Sequence, residues 1–217
     1  FGEMYKKKPF FIVFEGVEGC GKSFQSKKLF KRLKKNKIPC ILTREPGGTK
    51  SAELIRKLIL TDYFNHTGAD KFDKYTDTLL YLAARNEHVQ NKILPALKKK
   101  KVVICDRFVD STYAYQVIGK KVKLSFIDNI QKVILGNLKP HITFLLKVSP
   151  SSSKKRLVKR RVKNRYDKFS KSFYTKVQKS FLKIAKNKKN YFVLDSSKND
   201  KSLEKKIFKI ISKKLGI

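Results

Sequence analysis

Residues 16–23 read Gly16-Val17-Glu18-Gly19-Cys20-Gly21-Lys22-Ser23 and fit the pattern G-x-x-x-x-G-K-[ST] at every position. An apolar run, Phe10-Phe11-Ile12-Val13-Phe14, leads into this stretch, and a helix-forming stretch, Gln25 to Lys35, leads out of it. Strand, glycine-rich loop and helix in that order are the context that separates a phosphate-binding loop from a chance match. The glycines let backbone N–H groups close around phosphate oxygens, and the N-terminus of the following helix favours negative charge. In such a loop the backbone from Gly16 through Val17, Glu18, Gly19, Cys20 and Gly21 cradles a nucleoside triphosphate. Lys22 reaches its β- and γ-phosphates, and the Ser23 hydroxyl helps to hold Mg²⁺.

Outward from the loop, short apolar runs alternate with longer amphipathic stretches. Strands are expected at Phe10–Phe14, Cys40–Thr43, Val102–Cys105, Ile142–Val148 and Tyr191–Leu194, each apolar enough to be buried on both faces. Helices are expected over about 22–36, 50–60, 72–100, 111–118, 124–137, 150–160, 170–187 and 201–215. The alternation predicts an α/β fold, a five-stranded parallel sheet with helices on both faces. Ligands of such sheets sit at the carboxyl ends of the strands. Three polar segments fall there: the phosphate loop, Arg44-Glu45-Pro46-Gly47-Gly48-Thr49, and Asp106-Arg107.

The totals narrow the class. A chain of 217 residues suits one domain, here 1–217, with a flexible N-terminus over about residues 1–8. No apolar run approaches the roughly 18 residues of a membrane span, and the N-terminus has no long apolar stretch of a signal peptide. The three cysteines have no framework or metal-ligand spacing, so reduced thiols and a cytoplasmic location are expected. The formal charge of +36 invites a nucleic-acid reading. Against it, the Lys residues spread along every solvent-facing helix stripe, whereas a dedicated binding face clusters Arg and stacking aromatics. Residues 159–171 are nearly all polar and mostly basic. They suit either a mobile flap over an anionic ligand or a solvated inter-helix loop.

Four further segments narrow the chemistry: TREPGGT at 43–49, YLAARNEH at 81–88, DRFVDSTYAYQ at 106–116 and RYDKFSKSFYTKV at 165–177. Together with GVEGCGKS, in this order and at these separations, they resemble bacterial thymidylate kinase, and the resemblance runs from Phe10 to the last helix. It implies a P-loop kinase fold, ATP as phosphoryl donor with Mg²⁺ as cofactor, dTMP as acceptor, and a homodimer, with no specific nucleic-acid partner and no membrane. It further implies that Tyr81 stacks on thymine while Arg85 bonds its O4. Most of the family has Phe where this chain has Tyr81.

The same resemblance assigns Arg44, Arg56 and Arg107 to the dTMP phosphate, with Lys57 a neighbour of Arg56. It places Glu18 against the sugar and the magnesium shell, and Thr112 and Gln116 along base and sugar. Asp106, with Ser23, is left to bind Mg²⁺ or to fix Arg107. Arginine forks can donate two bonds to a phosphate, which Lys cannot do. This chain writes Lys nearly everywhere yet keeps Arg at these positions. Gly19 stands where some members carry a catalytic arginine inside the phosphate loop. This chain therefore resembles the class with the arginine in the flap, at Arg165 within Asn164-Arg165-Tyr166-Asp167. Arg160 and Arg161 are rivals for that role, and Arg161 is otherwise assigned to ATP. The catalytic set expected is Lys22, Arg165, Glu18 and Arg107. Two other readings stand beside this one: a kinase for another nucleotide or nucleoside, and a basic P-loop ATPase that binds nucleic acid.

Overall fold

The structure is a computed structural model that describes residues 8–60, 71–159, 170–198 and 201–217. Five parallel strands form one sheet in the order β2-β3-β1-β4-β5. They are β1 (Phe10–Glu15), β2 (Cys40–Arg44), β3 (Val102–Asp106), β4 (Ile142–Lys147) and β5 (Tyr191–Asp195). Phe14 and Arg44 both pair with Asp106, so the ends of β1, β2 and β3 come level on one rim.

The helices are α1 (Lys22–Lys35), α2 (Lys50–Leu60), α3 (Lys74–His88), α4 (Leu94–Lys98), α5 (Val109–Thr112), α6 (Leu124–Leu135), α7 (Pro150–Val158), α8 (Lys171–Ala185) and α9 (Ser202–Leu215). The expected helix over 72–100 is one continuous rod. Asp73 caps α3 by accepting the Tyr75 N–H, and a π-helical segment, Val89–Ile93, joins α3 to α4. The helix expected at 111–118 starts two residues earlier, as α5, and passes into a second π-helical segment, Tyr113–Gly119.

Burial follows the period of the strand. Phe10, Ile12 and Phe14 join Leu29 and Leu33 of α1, Val177 and Phe181 of α8, and Ile207 and Ile211 of α9 in the core on one face. Phe11 and Val13 join Leu82, Val89, Ile93 and Phe108 on the other. That is why β1 reads as an uninterrupted apolar run: each face of the strand meets a helix layer. Each of these side chains contributes about 1.5–3 kcal/mol by leaving water. The edge strands depart from the expectation of burial on both faces. Residues of β2 and β5 are partly exposed, and Val193 is 46% exposed. Each edge strand has only one neighbour to cover it. Among the described residues no helix is long and apolar enough to cross a membrane.

Candidate active site

The phosphate loop turns between β1 and α1 through Gly16, Gly19 and Gly21, all at positive φ. At Gly16 an added Cβ would lie 2.5 Å from the Leu146 carbonyl oxygen, so only glycine fits there. Lys22 is buried, and its ammonium donates to the carbonyls of Gly16 at 2.9 Å and Val17 at 2.8 Å. The Cys20 thiol lies 3.5 Å from the same nitrogen. Ser23, the first-turn residue after Lys22, donates its hydroxyl to Asp106 Oδ2 at the end of β3. Asp106 therefore holds the loop serine.

Arg107 instead crosses to the phosphate loop. Its Nη1 donates to the Gly16 carbonyl at 2.9 Å and to Ser111 Oγ at 3.0 Å, while Nη2 lies 2.5 Å from Glu18 Oε1. The other Glu18 oxygen accepts the Tyr115 hydroxyl. Burial alone would raise the Glu18 carboxyl, but the charges of Arg107 and Lys22 outweigh it and hold that carboxyl below the usual range. Burial and the Glu18 charge push the Tyr115 phenol well up, so it stays a donor.

A cleft of about 560 Å³ opens above this network. Its walls bring together Glu18, Gly19, Gly21, Lys22, Ser23, Arg44, Arg56, Tyr81, Arg85, Asp106, Arg107, Thr112 and Gln116. Gly16, Val17 and Cys20 form the floor of the loop beneath it; Val17 and Cys20 are buried. Arg44 is half exposed and paired with Glu53 at 2.9 Å, while Arg56 Nη1 donates to the Pro46 carbonyl at 2.6 Å. Burial and the neighbouring Arg44 lower the Arg56 pKa, as two guanidiniums sharing a wall must. Lys57, the alternative to Arg56, is exposed and absent from the cleft wall. Arg161, Arg165 and their rival Arg160 lie outside the described residues.

Arg85 sits deeper than its expected role at the base edge requires. It is 3% exposed, and four of its five N–H groups donate to protein acceptors. Nε and Nη2 reach Glu45 Oε2 at 2.8 and 2.7 Å, and Nη1 donates to Thr112 Oγ1 at 2.8 Å and Gln131 Oε1 at 3.0 Å. Nη2 also donates to the Phe108 carbonyl at 3.1 Å. Glu45 Oε1 lies 3.2 Å from His88 Nδ1, and His88 Nε2 lies 2.6 Å from Thr43 Oγ1. Glu45 would be raised by burial but is held below its ordinary range by Arg85 and His88.

Four contributors to the site were not singled out by sequence. Tyr115, Ser111 and Glu45 lie inside the quoted segments, between residues that were. Arg156 on α7 also lines the cleft, donating to the Gly19 carbonyl at 3.1 Å and to the Ser196 carbonyl at 2.6 Å. Its signal was present in composition: it is another Arg in a chain that otherwise writes Lys.

Comparison with known proteins agrees with this geometry. The family model described as thymidylate kinase matches residues 14–207. A thymidylate kinase of Aster yellows witches'-broom phytoplasma is 42% identical over 209 residues, covering 94% of this chain and 96% of the relative. That of Mycoplasma capricolum is 38% identical over 208 residues, covering 94% and 95%. The crystal structure of thymidylate kinase from Ehrlichia chaffeensis superposes with a TM-score of 0.73 at 31% identity, covering 94% of this chain and 99% of that one. A phosphate loop facing a pocket of arginines with an aromatic ring in its wall, on a sheet of this order, thus occurs in a chain that belongs to the thymidylate kinase family.

Proposed function

We propose that this chain transfers the γ-phosphoryl group of ATP to dTMP, giving ADP and dTDP for dTTP supply. The observation that carries the reading is one cleft with two chemically different ends. The phosphate loop with Lys22 and Ser23 forms one end, and Arg44, Arg56, Arg107 and the Tyr81–Arg85 face form the other. The acceptor is a phosphate oxygen, already a competent nucleophile, so the site needs no strong general base. Its work is to position both substrates and to neutralise the charge on the transferring group. Lys22 exchanges its carbonyl contacts for β- and γ-phosphate oxygens, and Arg107 holds the acceptor phosphate while its bond to Glu18 fixes its direction. Tyr81 offers a ring to the base. Arg85, four of whose N–H groups are engaged, orders Thr112 and Glu45 around that base and, from the family resemblance, bonds its O4.

Ser23 and Asp106 supply the hard oxygen donors that suit Mg²⁺, which needs only one or two protein oxygens when phosphates and water complete its shell. Bound there with ATP, Mg²⁺ adds positive charge against the phosphates. From the family resemblance, Arg165 meets the charge that develops in transfer, and Arg161 contacts ATP. The same resemblance carries the homodimer. Leu54 of α2 and Leu79 of α3 are 72% and 46% exposed, whereas Leu82 and Ile93 of the same rod are core residues. The first two therefore belong to the contact face, and light scattering of the purified protein tests it. The three buried, unpaired thiols fit a cytoplasmic location.

The direct test is ADP formation with dTMP, dUMP, dCMP, dGMP, deoxyguanosine, DNA or RNA offered in turn. Strong stimulation by dTMP is expected. Stimulation by DNA or RNA alone, with dTMP silent, would overturn the reading.

A further inference from the structure

Glu15 ends β1 immediately before the phosphate loop and has no part in the chemistry above. It is 1% exposed. Its Oε1 accepts the backbone N–H of Phe108 at 2.8 Å and of Ser111 at 3.2 Å, and its Oε2 accepts Ser111 Oγ at 2.6 Å. Ser111 Oγ is also the acceptor for Arg107 Nη1. One carboxyl therefore fastens the turn that presents Arg107. The backbone of Arg107 lies at φ 71°, a region a residue with a side chain enters only when its surroundings hold it there. A second acid, Asp110, lies in the same turn, 9% exposed, with its Oδ2 accepting the Tyr191 hydroxyl at 2.8 Å.

We infer that Glu15 is a positioning residue for the acceptor phosphate: it orients Arg107 through Ser111 and, together with Asp110, sets the charge that Arg107 presents to an incoming phosphomonoester. The inference rests on Arg107 holding the acceptor phosphate. Two acids buried together are costly to ionise together. Burial first, and then the Asp110 charge, push Glu15 up to about 8 against the pull of Arg107. Burial raises Asp110 as well. The other groups facing the pair are Cys105 of β3, Tyr191 of β5, and Arg85 and Lys188 on the Asp110 side. The pair thus keeps a proton near neutrality, and with that proton on Glu15 Oε2 the 2.6 Å contact to Ser111 Oγ runs from carboxyl to hydroxyl, reversing when Glu15 ionises. As the pH rises and Glu15 ionises, a new negative charge beside Arg107 competes with the phosphate for it.

The test is steady-state kinetics on the whole chain from about pH 7.5 to about pH 9.5. A phosphomonoester, with its second pKa of about 6, remains dianionic throughout that range. For the wild type, KM for dTMP is expected to rise about fivefold, equivalent to about 1 kcal/mol. KM for MgATP should stay nearly level. Glu15→Gln, uncharged at every pH, should keep the low KM for dTMP across the range, and Asp110→Asn, by removing the repulsion, should move the rise to lower pH. A Glu15→Gln enzyme with the wild-type profile overturns the inference, as does one in which both KM values rise together at all pH, the mark of a merely structural clamp. If Glu15→Gln does not fold, Asp110→Asn decides, and an unmoved profile refutes the inference. A wild type active on dTMP with a level profile refutes the inference alone, whereas one inactive on dTMP at every pH overturns the site assignment beneath it.

Discussion

Arg85→Ala should cost this protein its stability before it costs its selectivity. The guanidinium is 3% exposed and meets Glu45, Thr112, Gln131 and the Phe108 carbonyl at 2.7–3.1 Å. Removing it strands a buried carboxylate that Arg85 holds ionised, and breaking a buried pair from one side costs about 3–5 kcal/mol. Against a total of about 5–15 kcal/mol for a domain, that is a large share. Glu45→Gln removes the charge that the arginine answers, so the two changes should not add. In Arg85→Ala/Glu45→Gln the stranded charge is gone, and the double variant should be about 1–3 kcal/mol more stable than the sum of the singles predicts. Urea unfolding of all four proteins, followed by circular dichroism at one pH, measures the cycle. Acid should erode the Arg85–Glu45 term. Because the folded-state pKa of Glu45 is lowered, its contribution is present above the ordinary carboxylate range and disappears as the pH falls through the folded value. An Arg85→Ala protein within about 1 kcal/mol of wild type, or a strictly additive cycle, would show that the network is not holding the acceptor wall together.

Three other perturbations separate site from scaffold. Lys22→Ala should leave the unfolding midpoint nearly unchanged while kcat drops by well over tenfold, each tenfold being about 1.4 kcal/mol; a variant keeping more than about a tenth of kcat contradicts the assignment. Gly48→Ala would put a methyl group 2.5–2.6 Å from the His88 ring and Thr43 Oγ1 at φ 97°, so about 1–3 kcal/mol of stability should be lost; a neutral result in the same urea assay would refute that packing. Arg165→Ala should lower kcat by about 10³ or more with little change in dTMP binding by calorimetry; if Arg161→Ala is crippling instead, the flap register is wrong.

The sheet was readable because a strand sandwiched between helix layers has no polar positions to hide. Phe10–Glu15 shows this on both faces, and Gly16–Ser23 then needs its glycines at particular places. The edge strands were over-read, since an apolar run does not reveal how many neighbours it will have. The cleft was readable wherever one residue type is chemically demanded, as at Lys22, Ser23 and Arg107. Arg85 was harder, because sequence spacing gives the face of a helix but not the depth to which a side chain sinks. Glu45, Ser111 and Tyr115 act by bonding to other protein groups across 40 to 97 residues of chain. Such partners leave no local pattern. The leucines of α3 were ambiguous for a similar reason, and only packing sorts Leu82 inward and Leu79 outward.

Arginine in this chain works almost as a marker. There are nine among 53 basic residues; of the six among the described residues, Arg44, Arg56, Arg85, Arg107 and Arg156 line the cleft, and Arg32 lies 3.7 Å over the Phe208 ring. A vicinal dicarbonyl reagent, which condenses with guanidinium and spares the ammonium of lysine, should therefore act here nearly as an affinity label. Among the described arginines, modification would concentrate at the mouth of the cleft, on half-exposed Arg44 before buried Arg85, and nucleotide would shield it. On most basic proteins such a reagent scatters across the surface. Here the lysine-rich coat makes a blunt chemistry selective and lets peptide mass mapping report which guanidiniums each substrate covers.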